Sequence, residues 1–553
     1  MSPIPYRTAD EIDAEITALA AAFPTTCRRL TFDAHLTHEG RTMAYLKVGK
    51  GEGTGRRRVL ITTGVHGKEL APPEAVLNYL RKLLEAYRDG HPISVAAFTD
   101  RISHLTFPAF ELSLGSVKSI IEDLDLFVVP LVNPDGRAFE LALNPLLKPD
   151  GTFNPVPGGS GLQWRMNRRQ NPGTNPANPL CTGVDINRNF EIAWKTEQYY
   201  TNPTNNVDSF KDPCDSDSYR GPFAASEPET QNIVELVTTQ SIQFLLDIHA
   251  HAGAIFYPWA IEDTQVDDES KSFRNSAWHT PPGRDGVDHS GYAEFFPDEY
   301  PGSLRERHRD LADTMKDEIL NAAGTNEETR RVSTYQAGHA AEITHTAQPG
   351  NLMDWVFSRQ FLPIVGVPKP IFSLTMEVLA PNLVQPNPLF PAHDALIVNG
   401  LRPDPETEYP KAEREIFIAV HTFLKFVSGP CFIATAAFGS AHHPHVQLLR
   451  DLRDRMFPST PFGKRFIGAI TRIYDAFSPA LARYLDSHEA ARRFTRVAFL
   501  SPLVGALRGA KRIADRTDRP VAVLAGSIVL MVLTLAGAAG ALLVFVLKLL
   551  LVR

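Results

Sequence analysis

Val59-Leu-Ile-Thr-Thr-Gly-Val-His-Gly-Lys-Glu-Leu70 is the stretch that decides the architecture. Its first five residues read as a buried apolar strand, broken by Gly64. His66 and Glu69 follow where that strand ends. An amphipathic helix comes next, starting near Pro72-Pro73 and running Glu74-Ala-Val-Leu-Asn-Tyr-Leu-Arg-Lys-Leu-Leu84. Its apolar residues recur at helical spacing, and the prolines suit a first turn, where a backbone N–H has no partner to lose. A neutral imidazole and a carboxylate this close together can supply two of the three protein ligands of an open zinc site. Taken alone, His-x-x-Glu is an ordinary polar loop; the segments downstream change that balance.

Phe244-Leu-Leu-Asp-Ile-His249 repeats the pattern of an apolar strand ending in a ligand-capable side chain. Ile371-Phe-Ser-Leu-Thr-Met-Glu377 is a third such run and ends in a carboxylate. A histidine or glutamate behind an apolar run is usually a satisfied strand-end residue. Several together match the rule that open α/β sheets bind ligands beyond the C-terminal ends of their strands. Leu126-Phe-Val-Val-Pro-Leu-Val132 is another apolar run, closed by the turn signal Asn133-Pro-Asp-Gly136. Residues 32–63 look like a β-meander, 89–124 like a surface insertion ending in a helix, and 145–180 like a long polar loop. Inside that loop lies Gln163-Trp-Arg-Met-Asn-Arg-Arg169, and after it Cys181-Thr-Gly-Val-Asp-Ile-Asn-Arg-Asn-Phe190. Arginine suits carboxylate recognition because its planar fork donates two parallel hydrogen bonds.

At 553 residues the chain exceeds one ordinary domain, and its net charge of −7 gives no support to a nucleic-acid partner. The N-terminus has no apolar core of a signal peptide. Four scattered cysteines, Cys27, Cys181, Cys214 and Cys431, do not make a disulfide scaffold. From Val521 to Val546 no residue is charged, and the run is long enough to cross a bilayer. Arg508, Lys511, Arg512, Arg516 and Arg519 precede it, against Lys548 and Arg553 after it. The expectation is a single-pass C-terminal anchor with the preceding domains on the cytoplasmic side; an outward-facing domain is the alternative.

Together these motifs resemble the zinc metallocarboxypeptidase family, the carboxypeptidase A-like peptidases, over roughly residues 6–425. The resemblance implies a three-layer α/β/α sandwich around a mixed, mostly parallel twisted sheet, holding one zinc ion per chain. It implies His66, Glu69 and His249 as metal ligands and Glu377 as general base. Trp164-Arg165 is similar to the family's Trp-Arg, whose arginine polarises the scissile carbonyl. Asn187 and Arg188 match the pair that holds a terminal carboxylate. Tyr219-Arg-Gly-Pro-Phe-Ala-Ala-Ser-Glu-Pro-Glu-Thr230 resembles a family helix entry, and Gly350-Asn-Leu-Met-Asp-Trp355 the segment lining the specificity pocket. The implied activity is hydrolysis of the C-terminal peptide bond of peptides or proteins. Cys181 and Cys214 fall where some secreted members have a disulfide; a cytoplasmic domain would keep them reduced.

The departures fall at substrate-binding positions. Thr346, with His345 beside it, stands where the family has a mobile tyrosine. Lys68 replaces an arginine, Met353 occupies the position that sets side-chain preference, and His251 replaces an uncharged subsite residue. An apolar Met353 points to a hydrophobic terminal residue. Cys431-Phe-Ile-Ala-Thr-Ala-Ala-Phe-Gly-Ser440 resembles the start of a short bacterial C-terminal module. The expected organisation is a catalytic domain over 1–428, a helical module over 429–518 and a transmembrane helix over 519–548. Two other readings compete: an amidohydrolase of the aspartoacylase and succinylglutamate desuccinylase kind, acting on small N-acyl amino acids, and a catalytically silent membrane-tethered binding module. Trp164-Arg165 and Asp354-Trp355 favour the peptidase.

Overall fold

A computed structural model describes residues 6–51, 56–99, 104–143, 164–173, 181–192, 194, 211–214, 217–260, 304–344, 348–359, 371–378 and 408–428, with positions 493, 495 and 497. The chain divides into two compact units, Met1–Pro297 with Leu311–Ser428, and Asp298–Asp310 with Gly429–Arg553. Apart from three positions, the expected module over 429–518 lies outside the described residues, and so does the expected membrane helix over 519–548. Among the described residues no helix is long and apolar enough to cross a membrane.

Among the described residues the first unit contains twelve strands: β1 (Cys27–Thr31), β2 (Ala44–Val48), β3 (Arg57–Thr63), β4 (Ile93–Val95), β5 (Phe98–Thr99), β6 (Thr106–Phe107), β7 (Phe110–Leu112), β8 (Leu124–Val129), β9 (Phe244–Ala250), β10 (Ala254–Tyr257), β11 (Gln336–His339) and β12 (Phe372–Val378). Eight of them form one sheet in the order β1-β2-β8-β3-β9-β12-β10-β11. The central β8, β3, β9 and β12 are mutually parallel, whereas β1/β2, β2/β8 and β12/β10 pair antiparallel. The fold is therefore α/β with a mixed sheet. Every residue of β8 and of β9 is buried, which explains why their sequences run apolar without alternation.

The meander expected over 32–63 does not form: β2 and β3 lie in that span without pairing, and the hairpin partner of β2 is β1, which precedes it. β8 lies between β2 and β3 and runs parallel to β3, so the chain passes from β3 to β8 through a crossover. That crossover includes helix Ala71–Asp89, with Pro72 and Pro73 in its first turn and Gly90 ending it in the left-handed region at φ 74°. Its buried Val76, Leu77, Tyr79, Leu80, Leu83 and Leu84 form one face, each such side chain stabilising by roughly 1.5–3 kcal/mol. The face packs on helices Leu114–Asp123 and Glu408–Ser428. Residues 89–124 are thus only partly a surface insertion. They carry two short ribbons, β4/β7 and β5/β6, with Phe107 buried against Ala323 and Val332, and Val117, Ile120 and Ile121 of the closing helix are buried too.

Asn133-Pro-Asp-Gly136 does not simply turn the chain. Asn133 caps helix Pro134–Leu143, its Oδ1 accepting the Gly136 N–H at 2.8 Å, with proline at the first helical position. Cys181 and Cys214 are joined by a disulfide with a Cα separation of 4.1 Å, within the limit of about 7 Å. The sequence left open whether this pair bonds; it does, which counts against the reduced state that a cytoplasmic domain would keep.

Candidate metal centre

Three segments that end or follow central strands converge. His66 lies three residues beyond β3, Glu69 three further on, and His249 near the end of β9. Both histidines and Glu69 are buried. His66 Nδ1 stands 2.5 Å from Glu69 Oε1, and His249 Nδ1 stands 3.0 Å from Glu69 Oε2 and 3.2 Å from His66 Nδ1. One ligand atom from each of the three lies within 4.8 Å of the others.

The outward-facing ring atoms explain this convergence. His249 Nε2 meets Asp247 Oδ2 at 2.7 Å, and Asp247 Oδ1 in turn accepts the Thr62 hydroxyl at 2.7 Å. His66 Nε2 faces Asp185 Oδ1 at 3.3 Å, close enough for attraction though without hydrogen-bond alignment. Carboxylates behind the Nε2 atoms favour N–H there and turn both Nδ1 lone pairs inward. Two inward lone pairs and a carboxylate, all buried, form an electron-rich pocket that calls for a cation. Ligand atoms about 2.0–2.1 Å from a tetrahedral zinc stand about 3.3 Å apart, which the two longer separations approach. The residues fit the metal.

Backbone contacts hold the pocket's two supporting loops together. Gly67 N donates to the Arg165 carbonyl at 3.1 Å, and Asn133 Nδ2 donates to the carbonyls of Val65 (3.1 Å) and Met166 (3.0 Å). A side chain at Gly67 would sit 2.5 Å from the Gly136 carbonyl and 2.9 Å from that of Trp164. Glycine is required there by close approach.

Arg165 follows the buried Trp164, and its Nε donates to Asp185 Oδ2 at 2.8 Å. Burial works against its charge, but the carboxylates of Asp185, Asp217 and Glu69 outweigh it and hold the guanidinium protonated. Burial also opposes ionisation of Asp185, yet Arg165 and His66 keep its carboxyl well below the usual range. The Asp185 side chain caps the short 3₁₀ turn Ile186–Arg188, accepting Asn187 N at 2.9 Å. Asn187 Oδ1 accepts Leu352 N at 2.9 Å, and Gly350 (φ 69°) packs against the Arg188 carbonyl so closely that a Cβ there would collide. Lys68 lies 3.6 Å from Asp217, and burial together with the Arg165 charge lowers its pKa.

Glu377 is placed by register. In the parallel β9/β12 ladder it pairs with His249, and burial followed by the Glu69 charge pushes its carboxyl up to about 7. Met353 sits on helix Leu352–Ser358 in an apolar cluster with Ala254, Phe256, Ala260 and Ala340. His251, just after β9, is partly exposed. Thr346 and His345 lie outside the described residues. Asp185 and Asp247 had no role assigned from sequence, and Asn133 was expected only in a turn. Asp247 carried a signal, since residues i and i+2 of a strand share a face. Asp185, two residues before Asn187, carried a weaker one.

A His-Glu-His donor set beyond the ends of parallel strands, with a carboxyl and a guanidinium alongside, defines a candidate metal centre on an α/β fold. A profile of the zinc carboxypeptidase family matches residues 12–387, and the chain belongs to that family, whose members use one zinc ion. Human carboxypeptidase A1 is 27% identical over 267 residues, covering 48% of this chain and 49% of that protein. Carboxypeptidase B of Astacus astacus is 26% identical over 265 residues, covering 48% of this chain and 67% of that one. The chain spans about half the length of the first curated relatives it matches, 49% of the rat carboxypeptidase A1. The structure of carboxypeptidase A from Helicoverpa armigera aligns with a TM-score of 0.46 at 19% identity, covering 76% of this chain and 73% of that one.

Proposed function

We propose that the protein is a zinc-dependent carboxypeptidase that removes the C-terminal residue from peptides or proteins. The observation carrying this reading is the convergence of His66, Glu69 and His249 with Glu377 in register opposite His249. When bound, zinc supplies Lewis acidity and lowers the pKa of water toward about 7. Glu377, itself near neutrality, accepts the proton of the attacking water at its carboxylate and passes it to the leaving amine. Arg165, held by Asp185, stabilises negative charge growing on the scissile carbonyl oxygen. Asn187 and Arg188 hold the free carboxylate of the substrate, which confines cleavage to the last residue. Lys68 adds positive charge to the same region. Met353 in its apolar cluster supports a preference for a hydrophobic terminal residue, and Thr346 is a further substrate contact.

For the architecture we read helices on both faces of the sheet, a three-layer arrangement. Packing of helix Ala71–Asp89 on β3 and β9, and of helix Leu352–Ser358 on β9 and β12, supports it. We retain the Cys-Phe-Ile-Ala-Thr-Ala module over 429–518 and a membrane helix over 519–548, on the uncharged run from Val521 to Val546. The Cys181–Cys214 bond supports an orientation of the catalytic unit toward an oxidising compartment rather than the cytoplasm.

The test is to offer the full-length protein free-ended peptides and N-acyl amino acids, with and without a zinc chelator. Stepwise release of single C-terminal residues, abolished by the chelator, is expected. Hydrolysis of N-acyl amino acids alone, or trimming that survives metal removal, refutes the proposal.

A further inference from the structure

Away from the His66–Glu69–His249 pocket, a second group of donors converges: His38, on the loop between β1 and β2, and Glu227 and Glu229 at the entry to helix Pro228–Thr239. One ligand atom from each lies within 4.8 Å of the other two. His38 Nε2 stands 2.8 Å from Glu227 Oε2. The two glutamates are fully buried, while the His38 side chain is 26% exposed, so the group opens to solvent on the imidazole side.

Their partners leave an imbalance. Asn167 Nδ2 donates to Glu227 Oε2 at 2.7 Å and to Glu229 Oε2 at 3.0 Å, spending both its hydrogens on the carboxylates. Glu227 Oε1 accepts the Ser226 hydroxyl (2.6 Å) and Arg169 NH1 (3.1 Å). Glu229 Oε1 is buried, and among the described residues no donor reaches it. Arg169 is the one fixed positive charge hydrogen-bonded to either carboxylate among the described residues, and it contacts Glu227 alone. A buried carboxylate oxygen without a donor costs free energy unless a cation or a proton meets it.

We propose that His38, Glu227 and Glu229 bind a second transition-metal dication of the Zn²⁺ type, separate from the catalytic ion. The donor set selects the class. An imidazole with two carboxylates suits a borderline dication, whereas calcium prefers oxygen ligands alone. The catalytic set contributes none of the three residues. The link to the catalytic region runs through Asn167, two residues beyond Arg165. Its Oδ1 accepts the N–H groups of Arg169 (3.2 Å) and Val184 (2.9 Å). A metal ion here joins the His38 loop to the helix entry and fixes the carboxylates that hold Asn167, stiffening the Trp164–Arg169 segment.

The experiment uses the full chain carrying His66→Ala and His249→Ala, which removes two catalytic ligands. Zn²⁺ alone is titrated calorimetrically, and bound metal is counted after dialysis. One Zn²⁺ per chain is expected, with a Kd weakened at least tenfold when either His38→Ala or Glu229→Gln is added. Glu229→Gln keeps the side-chain shape and His38 lies on a partly exposed loop, so circular dichroism of each variant should match the parent. Failure of the parent to retain Zn²⁺, or unchanged affinity in both added variants, overturns the proposal.

Discussion

Asp185→Asn isolates the contribution of one carboxylate to the centre. The substitution preserves shape and leaves an Oδ1 able to accept Asn187 N, so the 3₁₀ turn keeps its cap. It removes the negative charge that Arg165 Nε meets at 2.8 Å and that faces His66 Nε2 at 3.3 Å. Leaving a fully buried charge without its partner costs about 3–5 kcal/mol. Arg165 keeps 17% of its side chain exposed and feels Asp217 and Glu69 as well. The expected loss is therefore smaller, about 2–3 kcal/mol, in line with a hydrogen bond to a charged group. Losing the carboxylate behind His66 should separately weaken zinc binding about 10–100-fold. Urea unfolding of the metal-free protein measures the first effect, and competition with a calibrated chelator measures the second. Asp185→Asn in an Arg165→Met background completes a double-mutant cycle. A coupling below a few tenths of a kcal/mol, with zinc affinity unchanged within about twofold, would refute the reasoning.

Glu377→Gln should lower kcat by about 10²–10⁴ while zinc content stays at the wild-type level, checked by rate measurement beside metal analysis. Near-normal kcat removes Glu377 from the proton transfer. Arg188→Ala should raise KM for free-ended peptides and reduce the discrimination against amidated ones; an undiminished preference counts against carboxylate binding there. His421 gives a pH dependence. It is buried between Tyr79 OH (3.1 Å) and Ser116 Oγ (2.7 Å), and burial, then the Lys425 charge, pushes its pKa down to about 3. Between about 6.5 and that value the unfolded chain binds a proton that the folded chain refuses, so its contribution is complete above about 6.5 and is lost as pH falls. Chemical denaturation from pH 7 to pH 4 should show a decline that His421→Gln makes shallower; parallel curves would contradict it.

Much of the candidate centre was legible because its residues sit at or just beyond strand ends. His66, His249 and Glu377 each follow or close an apolar run, and the period of such runs survives in sequence. Asp185 and Asp247 were harder to assign, since their contribution lies in which ring nitrogen they face across the fold. Asn133 misled for a local reason. Asn-Pro-Asp-Gly satisfies turn chemistry, and only the helix downstream makes the asparagine a cap. The position of β8 between β2 and β3 was hidden too, because strand order depends on long-range pairing. The Cys181–Cys214 pair was visible, but whether it bonds depends on geometry that spacing does not encode.

The pairing of Glu377 with His249 has a consequence for how such a site can change. Ladder hydrogen bonds, not the connecting segments, set where the Glu377 carboxyl stands relative to His249. Segments on either side can therefore lengthen or shorten while that placement stays fixed. Deleting a single residue within β12 ahead of Glu377 would instead swing the carboxyl to the opposite side of the sheet, because side chains alternate along a strand. Variation among descendants of this chain should accordingly gather outside the two strands, and indels inside them should be purged.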